Sequence, residues 1–428
     1  MISILLFILI FLILLSVPLY IAFMAATLIF MYAFTAIPLD VVVQRVFSGI
    51  DKFPLLAVPL FILGANVMRS GGLSKRIINL ARSLVGHLPG GLSLATVVSC
   101  MLFGAVSGSS PATVVAVGSI MLPALQESRY PRKFAVGLIT SSAALAAIIP
   151  PSIGMIVYGT VVGASVSKLF IAGIIPGVLF GLAFMAYAYH YGRKHGLMSA
   201  ERSTLRQTLA AAREAGWALG IPVLILGGIY GGIFTPTEAA AVAAVYAILV
   251  TMLVYREMSM KQLLDVSVES AVSTAQIMIL IGAASALSWL LTMQQVPLLV
   301  GEALTALADS KAGILLVFTI ILIVAGMFLD PTSVTMIFAP LFMPLALKFG
   351  IDPIHLGLII VVNGALGMFT PPFGFNLFVA SGVANMPINR IVPGLMPFVW
   401  ISVLIVLVVT MWLHGKEQRI GDLAAGTL

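Results

Sequence analysis

Charge is scarce in this sequence. Asp, Glu, Lys and Arg make up only 9% of its 428 residues, while 61% are hydrophobic. Soluble domains carry about 25% charged and about 45–50% apolar residues. A water-soluble fold of this composition would lack the polar groups to cover its surface, so a lipid bilayer is the solvent that suits it. Cysteine is nearly absent. The single residue, Cys100, lies in an apolar run, which excludes an intrachain disulfide framework and a cysteine metal cluster. The five histidines, His87, His190, His195, His355 and His414, all sit at loop or segment edges. No H-E-x-x-H, G-x-S-x-G or Walker pattern occurs, so enzyme readings find no residues to rest on. The formal net charge is +7, but Lys and Arg are scattered between apolar blocks. That scatter argues against a nucleic-acid partner.

Apolar runs are what the chain has in abundance. They cover residues 2–34, 53–70, 91–107, 111–126, 133–163, 168–190, 216–233, 236–255, 265–293, 312–328, 332–347, 354–385 and 393–413. A spanning helix needs about 20 residues. Several runs are shorter and carry Gly and Pro at their tips, which predicts re-entrant hairpins and broken helices. Such backbone is tolerated at membrane depth only where protein or water covers it. No basic segment precedes the first run and no A-x-A-like site ends it, so it is expected to be retained as one broken helix or two short ones. The longest polar stretch, Tyr191 to Glu214, predicts an amphipathic surface helix over 200–214. By the positive-inside rule this stretch is cytoplasmic, as are the clusters Lys75, Arg76, Arg82 and Arg129, Arg132, Lys133. The basic residues His414, Lys416 and Arg419 put the C-terminal tail on the same side.

The polar stretch divides the chain into comparable halves, and the halves share landmarks. Two Pro-Pro pairs occur, Pro150-Pro151 and Pro371-Pro372, separated by 371 − 150 = 221. Met121-Leu122-Pro123 matches Phe342-Met343-Pro344, and 344 − 123 is again 221. Gly104 matches Gly326 at a separation of 222. Each half is therefore expected to hold a hairpin followed by a Pro-Pro-broken helix. Paired interrupted segments of this kind point to the binding site of a secondary transporter.

Four elements carry the candidate chemistry. Hairpin one has its tip in Phe103 to Thr113, where the Gly-Ser run lets the backbone turn and approach a ligand. Pro111 suits the first turn of the returning helix, whose free N–H groups and positive dipole end would face an anion. The plainer alternative is a Ser/Gly packing face, which the repeat disfavours. Hairpin two has its tip in Gly326 to Ser333, with Asp330 between apolar flanks. A carboxylate at the centre of a span costs roughly 2.5–3.5 kcal/mol on insertion scales. Asp330 either contacts a cation or substrate hydroxyls, or caps the following helix, and both remain open. The two Pro-Pro breaks free carbonyls one turn back, and such carbonyls are uncharged hard ligands for an alkali cation. By contrast, Thr235-Pro236-Thr237-Glu238 reads as a structural capping box, and the Ala run behind it permits close helix packing.

Together these residues resemble the large membrane subunit, the DctM family, of tripartite ATP-independent periplasmic (TRAP) transporters. The likeness rests on Gly71-Gly72-Leu73-Ser74, the Gly104–Pro111 hairpin, Ile149-Pro150-Pro151-Ser152, Gly232 to Ala240, Asp330-Pro331-Thr332 and Thr370-Pro371-Pro372-Phe373-Gly374, which span nearly the whole chain. The resemblance implies an all-α polytopic protein of the bacterial inner membrane, with about 11 transmembrane helices plus two re-entrant helical hairpins. It implies an inverted repeat: residues 1–215, with hairpin one near 91–127 and a broken helix near 133–163, and residues 216–428, with hairpin two near 312–347 and a broken helix near 354–385. An elevator mechanism, in which a scaffold holds a mobile transport domain, is implied as well. So are a separate small four-helix subunit of the DctQ type, a soluble periplasmic binding protein of the DctP type, and sodium as the driving ion. Carried over from the family, sodium site one would use Gly104, Ser107, Ala146, Ile149 and Pro151, and sodium site two Gly326, Gly367, Thr370 and Phe373. These sets obey the internal offset (146 + 221 = 367; 149 + 221 = 370). The organic anion would lie near Ser109, Ser110, Ser152 and Asp330. Neither tip nor break holds an Arg or Lys, so helix N-termini, hydroxyls and bound sodium would compensate the anion's charge. C4-dicarboxylates, sialic acid and other sugar acids, 2-oxo acids and small sulfonates all fit. A proton-coupled or single-subunit carrier is the alternative, and Asp330 is its one good candidate for a titratable relay.

Overall fold

A chain in hydrocarbon must satisfy its backbone internally, which leaves helices or a closed barrel. The computed structural model describes residues 2–15, 17–197 and 203–412, and every regular element among them is helical. Arg202 and the basic tail at His414, Lys416 and Arg419 lie outside the described residues. In chain order the first helices are α1 (Ile2–Leu14), α2 (Leu19–Phe34), α3 (Asp40–Ile50), α4 (Ala57–Ser70) and α5 (Leu73–Val85). Then follow α6 (Gly91–Ser107), α7 (Ser110–Glu127), α8 (Arg132–Ala143), α9 (Ile153–Val162) and α10 (Val166–Lys194). The second half holds α11 (Leu205–Tyr230), α12 (Pro236–Leu249), α13 (Met260–Met293), α14 (Val296–Leu307) and α15 (Lys311–Gly326). It closes with α16 (Pro331–Lys348), α17 (Pro353–Gly367), α18 (Phe375–Ala384) and α19 (Ile388–Trp412).

Local chemistry sets many of these boundaries. Pro18 stands at the N-cap of α2 and separates it from α1. Capping boxes open α11 (Thr204 with Gln207), α12 (Thr235 with Glu238) and α13 (Ser259 with Gln262). The surface helix expected over 200–214 is not a separate element. Residues from Leu205 onward continue without interruption to Tyr230, because the Ala-rich turns after Thr204 contain no breaker before Pro222. The boundary expected at residues 215–216 lies within this helix. Three further helices, α3, α5 and α14, occupy stretches that the apolar runs had left as connections. Charged and polar positions interrupt the apolar runs in α3 and α5, yet α5 still buries Leu73, Ile77, Ile78, Leu80 and Ala81 on one face.

Seven helices among the described residues are long and apolar enough to cross a bilayer alone; α14 with α15, bent by 114°, make an eighth if taken as one span. The count falls below the eleven expected because several expected spans, such as 2–34, 133–163 and 354–385, are built from shorter broken pieces.

The repeat is visible in the placement of elements. Starts correspond at 331 − 110 = 221 (α16 and α7), 353 − 132 = 221 (α17 and α8), 375 − 153 = 222 (α18 and α9) and 388 − 166 = 222 (α19 and α10). Packing is reciprocal. Helix α18 lies against α7 and α16 against α9, while α12 lies against α4 and α13 against α2. Backbones come close where small residues meet. A Cβ on Gly137 of α8 would stand 2.5 Å from the Gly394 carbonyl carbon of α19. Around that crossing Phe134, Tyr191, Tyr187, Phe184 and Phe398 form an aromatic cluster, with Phe134 and Tyr191 stacked at 3.8 Å. The halves are also clamped at the Gly71-Gly72 turn. Arg76 donates to both Glu257 carboxylate oxygens (2.9 and 2.7 Å) and lies 3.8 Å over the Tyr255 ring. Its guanidinium holds the Glu257 carboxyl below the usual carboxylate range.

Gly394→Ala places a methyl group against the Lys133 carbonyl. It is expected to cost about 1–3 kcal/mol, seen as a lower melting temperature of the purified protein in detergent. An unchanged melt would show that the α8–α19 crossing tolerates separation.

Candidate functional site

Hairpin one is α6, a two-residue turn and α7. Gly108 adopts φ +57° and turns the chain, a conformation that glycine takes without strain. Ser109 is extended and leads into α7, with Pro111 in its first turn. This tip lies against the first Pro-Pro break: a Cβ on Gly108 would stand 2.5 Å from the Pro151 carbonyl oxygen. One turn earlier a Cβ on Gly104 would stand 2.8 Å from Ala146 Cα. Ser107 is buried, with its hydroxyl 3.2 Å from the Thr113 hydroxyl.

The break itself frees backbone oxygens. Pro150 and Pro151, joined by a cis peptide, have no N–H to offer the carbonyls of Ala146 and Ala147 one turn back. The Ser152 hydroxyl takes over for Ala147 at 2.6 Å and also accepts from Met155 N at 3.4 Å, capping α9. Ile149 N–H goes to Leu145 O at 2.8 Å. Ala146 therefore keeps a carbonyl with no amide from the next turn. The Ile149 side chain packs toward Gly177 of α10.

Hairpin two repeats this arrangement. Helix α15 ends at Gly326, and a Cβ there would stand 3.1 Å from Gly367 Cα at the end of α17. Pro331, opening α16, lies over Gly364, with a gap of 3.1 Å to a Cβ there. The second cis Pro-Pro pair, Pro371-Pro372, follows. Met368 O, one turn before Pro372, accepts from Asn376 N at 2.8 Å. Thr370 is buried and donates to Leu366 O at 2.7 Å. Phe373 is exposed, with its ring 5.6 Å from Phe328 at the hairpin tip.

Asp330 is the N-cap of α16. Its carboxylate accepts from Thr332 N (2.9 Å), Ser333 N (3.2 Å) and the Ser333 hydroxyl. Ser109 is the N-cap residue of α7, and 330 − 109 = 221. These two expected substrate residues thus hold equivalent places at the two tips. Ser110 and Ser152 are both buried. Ser110 accepts from Asn376 Nδ2 at 2.6 Å, and the same amide reaches Thr140 O at 3.3 Å. Hairpin one is thereby tied to the half-helix that follows the second break. Helices α7, α9, α16 and α18 all begin at a tip or a break, and each directs the positive end of its dipole there.

Sequence reasoning missed three polar residues. Ser142, Asn363 and Asn376 are fully buried, and each leaves a side-chain oxygen without a hydrogen-bond partner. Ser142 and Asn363 are equivalent (363 − 142 = 221) and precede Ala146 and Gly367 by one turn. Applying the offset to buried polar residues, rather than to Gly and Pro alone, would have found this pair. Orphaned buried oxygens beside freed carbonyls make a donor set of neutral oxygens, which suits a hard cation.

Residues 6–414 match the family model described as "Tripartite ATP-independent periplasmic transporter, DctM component". The chain is 41% identical over 396 residues to the isethionate TRAP transporter permease protein DctMQ of Oleidesulfovibrio alaskensis, covering 92% of this chain and 62% of that protein. It is 43% identical over 366 residues to the C4-dicarboxylate TRAP transporter large permease protein DctM of Pseudomonas aeruginosa, covering 86% of each. The ectoine/5-hydroxyectoine large permease protein UehC of Ruegeria pomeroyi is 40% identical over 360 residues, 84% of each. Among solved structures, the YdaH transporter of Alcanivorax borkumensis superposes with a TM-score of 0.68 over 94% of this chain and 98% of that one, at 17% identity. That likeness speaks to the fold alone.

The two readings of Asp330 separate by substitution. Asn caps a helix as well as Asp does. Asp330→Asn is expected to leave stability within about 0.5 kcal/mol, while Asp330→Ala loses about 1 kcal/mol, measured by thermal melting. If Asp330→Asn also transports normally, the carboxylate is a cap only.

Proposed function

This chain belongs to the DctM component family of tripartite ATP-independent periplasmic transporters, and on that premise we propose that it is the large membrane subunit of a sodium-coupled importer of a small organic anion. It is a multi-pass protein of the inner membrane. The observation that carries the proposal is the paired contact of hairpin with break: Gly104 on Ala146 and Gly326 on Gly367, each beside a cis Pro-Pro pair and a buried side-chain oxygen without a partner.

In this reading the first break, with Gly104, Ser107, Ala146, Ile149 and Pro151, holds one sodium ion, and Ser142 joins it. The second break, with Gly326, Gly367, Thr370 and Phe373, holds another, and Asn363 joins it. Both sets are uncharged, so each bound ion adds a full positive charge where two helix N-termini already face inward. That supplies the attraction an anion needs in a site without Arg or Lys. Ser109, Ser110, Ser152 and Asp330 mark the edges of the anion's place. Asn376, with its free Oδ1, stands beside Ser110. The substrates named for the relatives are isethionate, C4-dicarboxylates, ectoine and 2,3-diketo-L-gulonate. Each carries a sulfonate or carboxylate on a small skeleton, and we assign this chain the same class.

The two halves form an inverted repeat in this proposal. Helices α2, α4, α12 and α13 act as the scaffold, and the hairpins with their broken helices act as the part that moves. A small four-helix subunit and a soluble periplasmic binding protein complete the assembly.

The test is uptake of radiolabelled succinate or isethionate into proteoliposomes that hold this chain with its small subunit and binding protein. Inward sodium, potassium and proton gradients are compared. Accumulation is expected only with sodium and only with the binding protein. Thr370→Val should then raise the sodium concentration for half-maximal uptake roughly tenfold, the loss of one oxygen ligand. Uptake driven by protons alone would overturn sodium coupling.

A further inference from the structure

A cavity of about 230 Å³ lies between α3 and α13 on one wall and α9 and α16 on the other. Two cations line it, Arg45 and Lys52. Both are exposed, and among the described residues neither has a carboxylate within ion-pair distance; the ion pairs there are Arg69–Glu269 and Arg76–Glu257. The Arg45 guanidinium lies 5.0 Å over the Trp289 ring, a contact that orients its donors without neutralising their charge.

The α13 wall adds hydroxyls. Ser285 and Ser288 line the cavity with Trp289, at i, i+3 and i+4 on one helix face. Neither serine hydroxyl donates to a protein acceptor among the described residues, in contrast to Thr160 across the cavity, which donates to Ile156 O at 2.7 Å. Gly49 of α3 meets Ser285 directly, so the two helices that carry the polar groups are held at fixed separation. The opposite wall is mostly apolar, with Val157, Val161 and Met336.

The position matters as much as the composition. Helix α9 starts at the first break and α16 at the second tip. With a rise of about 1.5 Å per residue, Thr160 and Met336 lie about 8–11 Å down those helices. The cavity is thus a separate place on the same two helices.

We propose that this cavity is a second anion site. Arg45 and Lys52 bind the oxygens of a carboxylate, sulfonate or phosphate, Ser285 and Ser288 donate to them, and the apolar wall accepts the rest of the occupant. Two unpaired cations, two uncommitted hydroxyls and no facing acid make an oxyanion the fitting ligand. Because α3 and the residues just after it supply the charge, α13 the hydroxyls, and α9 and α16 the other wall, an occupant bridges the two groups of helices. The assignment of a free organic anion as occupant rests on the transport reading above; the oxyanion chemistry does not.

Trp289 provides the readout. Trp217, Trp400 and Trp412 are replaced by Phe, which leaves Trp289 as the single indole. The full chain is placed in phosphatidylcholine nanodiscs in sodium-free buffer and titrated with succinate, isethionate and inorganic phosphate. A saturable change in Trp289 emission is expected, weakened roughly tenfold or more by Arg45→Gln and by Lys52→Gln and largely kept in Arg45→Lys. If phosphatidylglycerol in the nanodisc produces the change by itself and blocks the response to added anions, the site stands and its occupant is a lipid headgroup. A flat response to every anion and to that lipid, or a response untouched by both charge-removing substitutions, overturns the proposal. No gradient, sodium or binding protein enters the titration, so its failure and the failure of sodium-coupled uptake are told apart.

Discussion

Gly326 and Gly367 meet backbone to backbone: a Cβ on Gly367 would stand 2.6 Å from Gly326 Cα, and one on Gly326 would stand 3.1 Å from Gly367 Cα. In the first half Gly104 meets Ala146, and here the glycine alone makes the room, since a Cβ on it would stand 2.8 Å from Ala146 Cα. This close approach is the constraint on which the rest depends. A helix interrupted by two prolines cannot satisfy its own carbonyls, and in hydrocarbon each unsatisfied group costs several kcal/mol. The break can exist only where something covers it. A hairpin that approaches through a glycine, Gly104 or Gly326, provides that cover at close range. Widening the contact by one side chain would expose the break, and filling the break with an ordinary helix would leave the hairpin nothing to face.

The surrounding packing follows from holding two such pairs in register. Helices α7 and α18 lie together, as do α9 and α16. Each hairpin is therefore bound to the half-helix beyond the other half's break, and the Asn376–Ser110 bond is one such link. Each hairpin is thus packed in part by the other half. The Arg76–Glu257 pair and the reciprocal contacts of α4 with α12 and α2 with α13 join the halves again on the outside. A strong dependence of each half on the other is what a repeat protein with interdigitated elements must have, since the buried faces of one half are covered by the other.

Much of this was legible in the residues. Pro-Pro pairs and tip glycines act through backbone geometry, which is local, so their positions predicted hairpins and breaks whose ends fall within a residue or two of α6, α7, α15 and α16. The capping box at Thr235 and Glu238 formed as read, because its partners lie three residues apart. What escaped was set by tertiary contact. Charged residues break the apolar runs of α3 and α5, while α14 is apolar but only 12 residues long, short of a span. The helix from Leu205 runs on through Pro222 to Tyr230, so composition suggested two elements where the backbone makes one. Ser142 and Asn363 were invisible as single polar residues in apolar runs. Their meaning lies in burial without a partner, which a sequence does not display.

The two halves agree in backbone and disagree in side chains, and that division is informative. At equivalent positions stand Ser107 and Phe328, Ser109 and Asp330, Ile149 and Thr370, Ser152 and Phe373, and Met155 and Asn376. A monatomic cation can be held largely by backbone oxygens, so the two proposed ion sites would share Gly, Pro and the freed carbonyls and differ only in single side-chain ligands such as Thr370. An organic anion has a shape and two unlike ends, and a symmetric site would read both ends alike. The asymmetric pairs place hydroxyls and the Asn376 amide toward the first hairpin, and a carboxylate cap with aromatic rings toward the second. A molecule with one strongly acidic end is matched to the hydroxyl and amide side, while the side that carries Asp330 repels a bare anion and suits a hydroxyl, an amine or an apolar face. Under the proposed function, substrate choice would belong to the side chains that differ between the halves, and the two ion sites would rest chiefly on the backbone that the halves share.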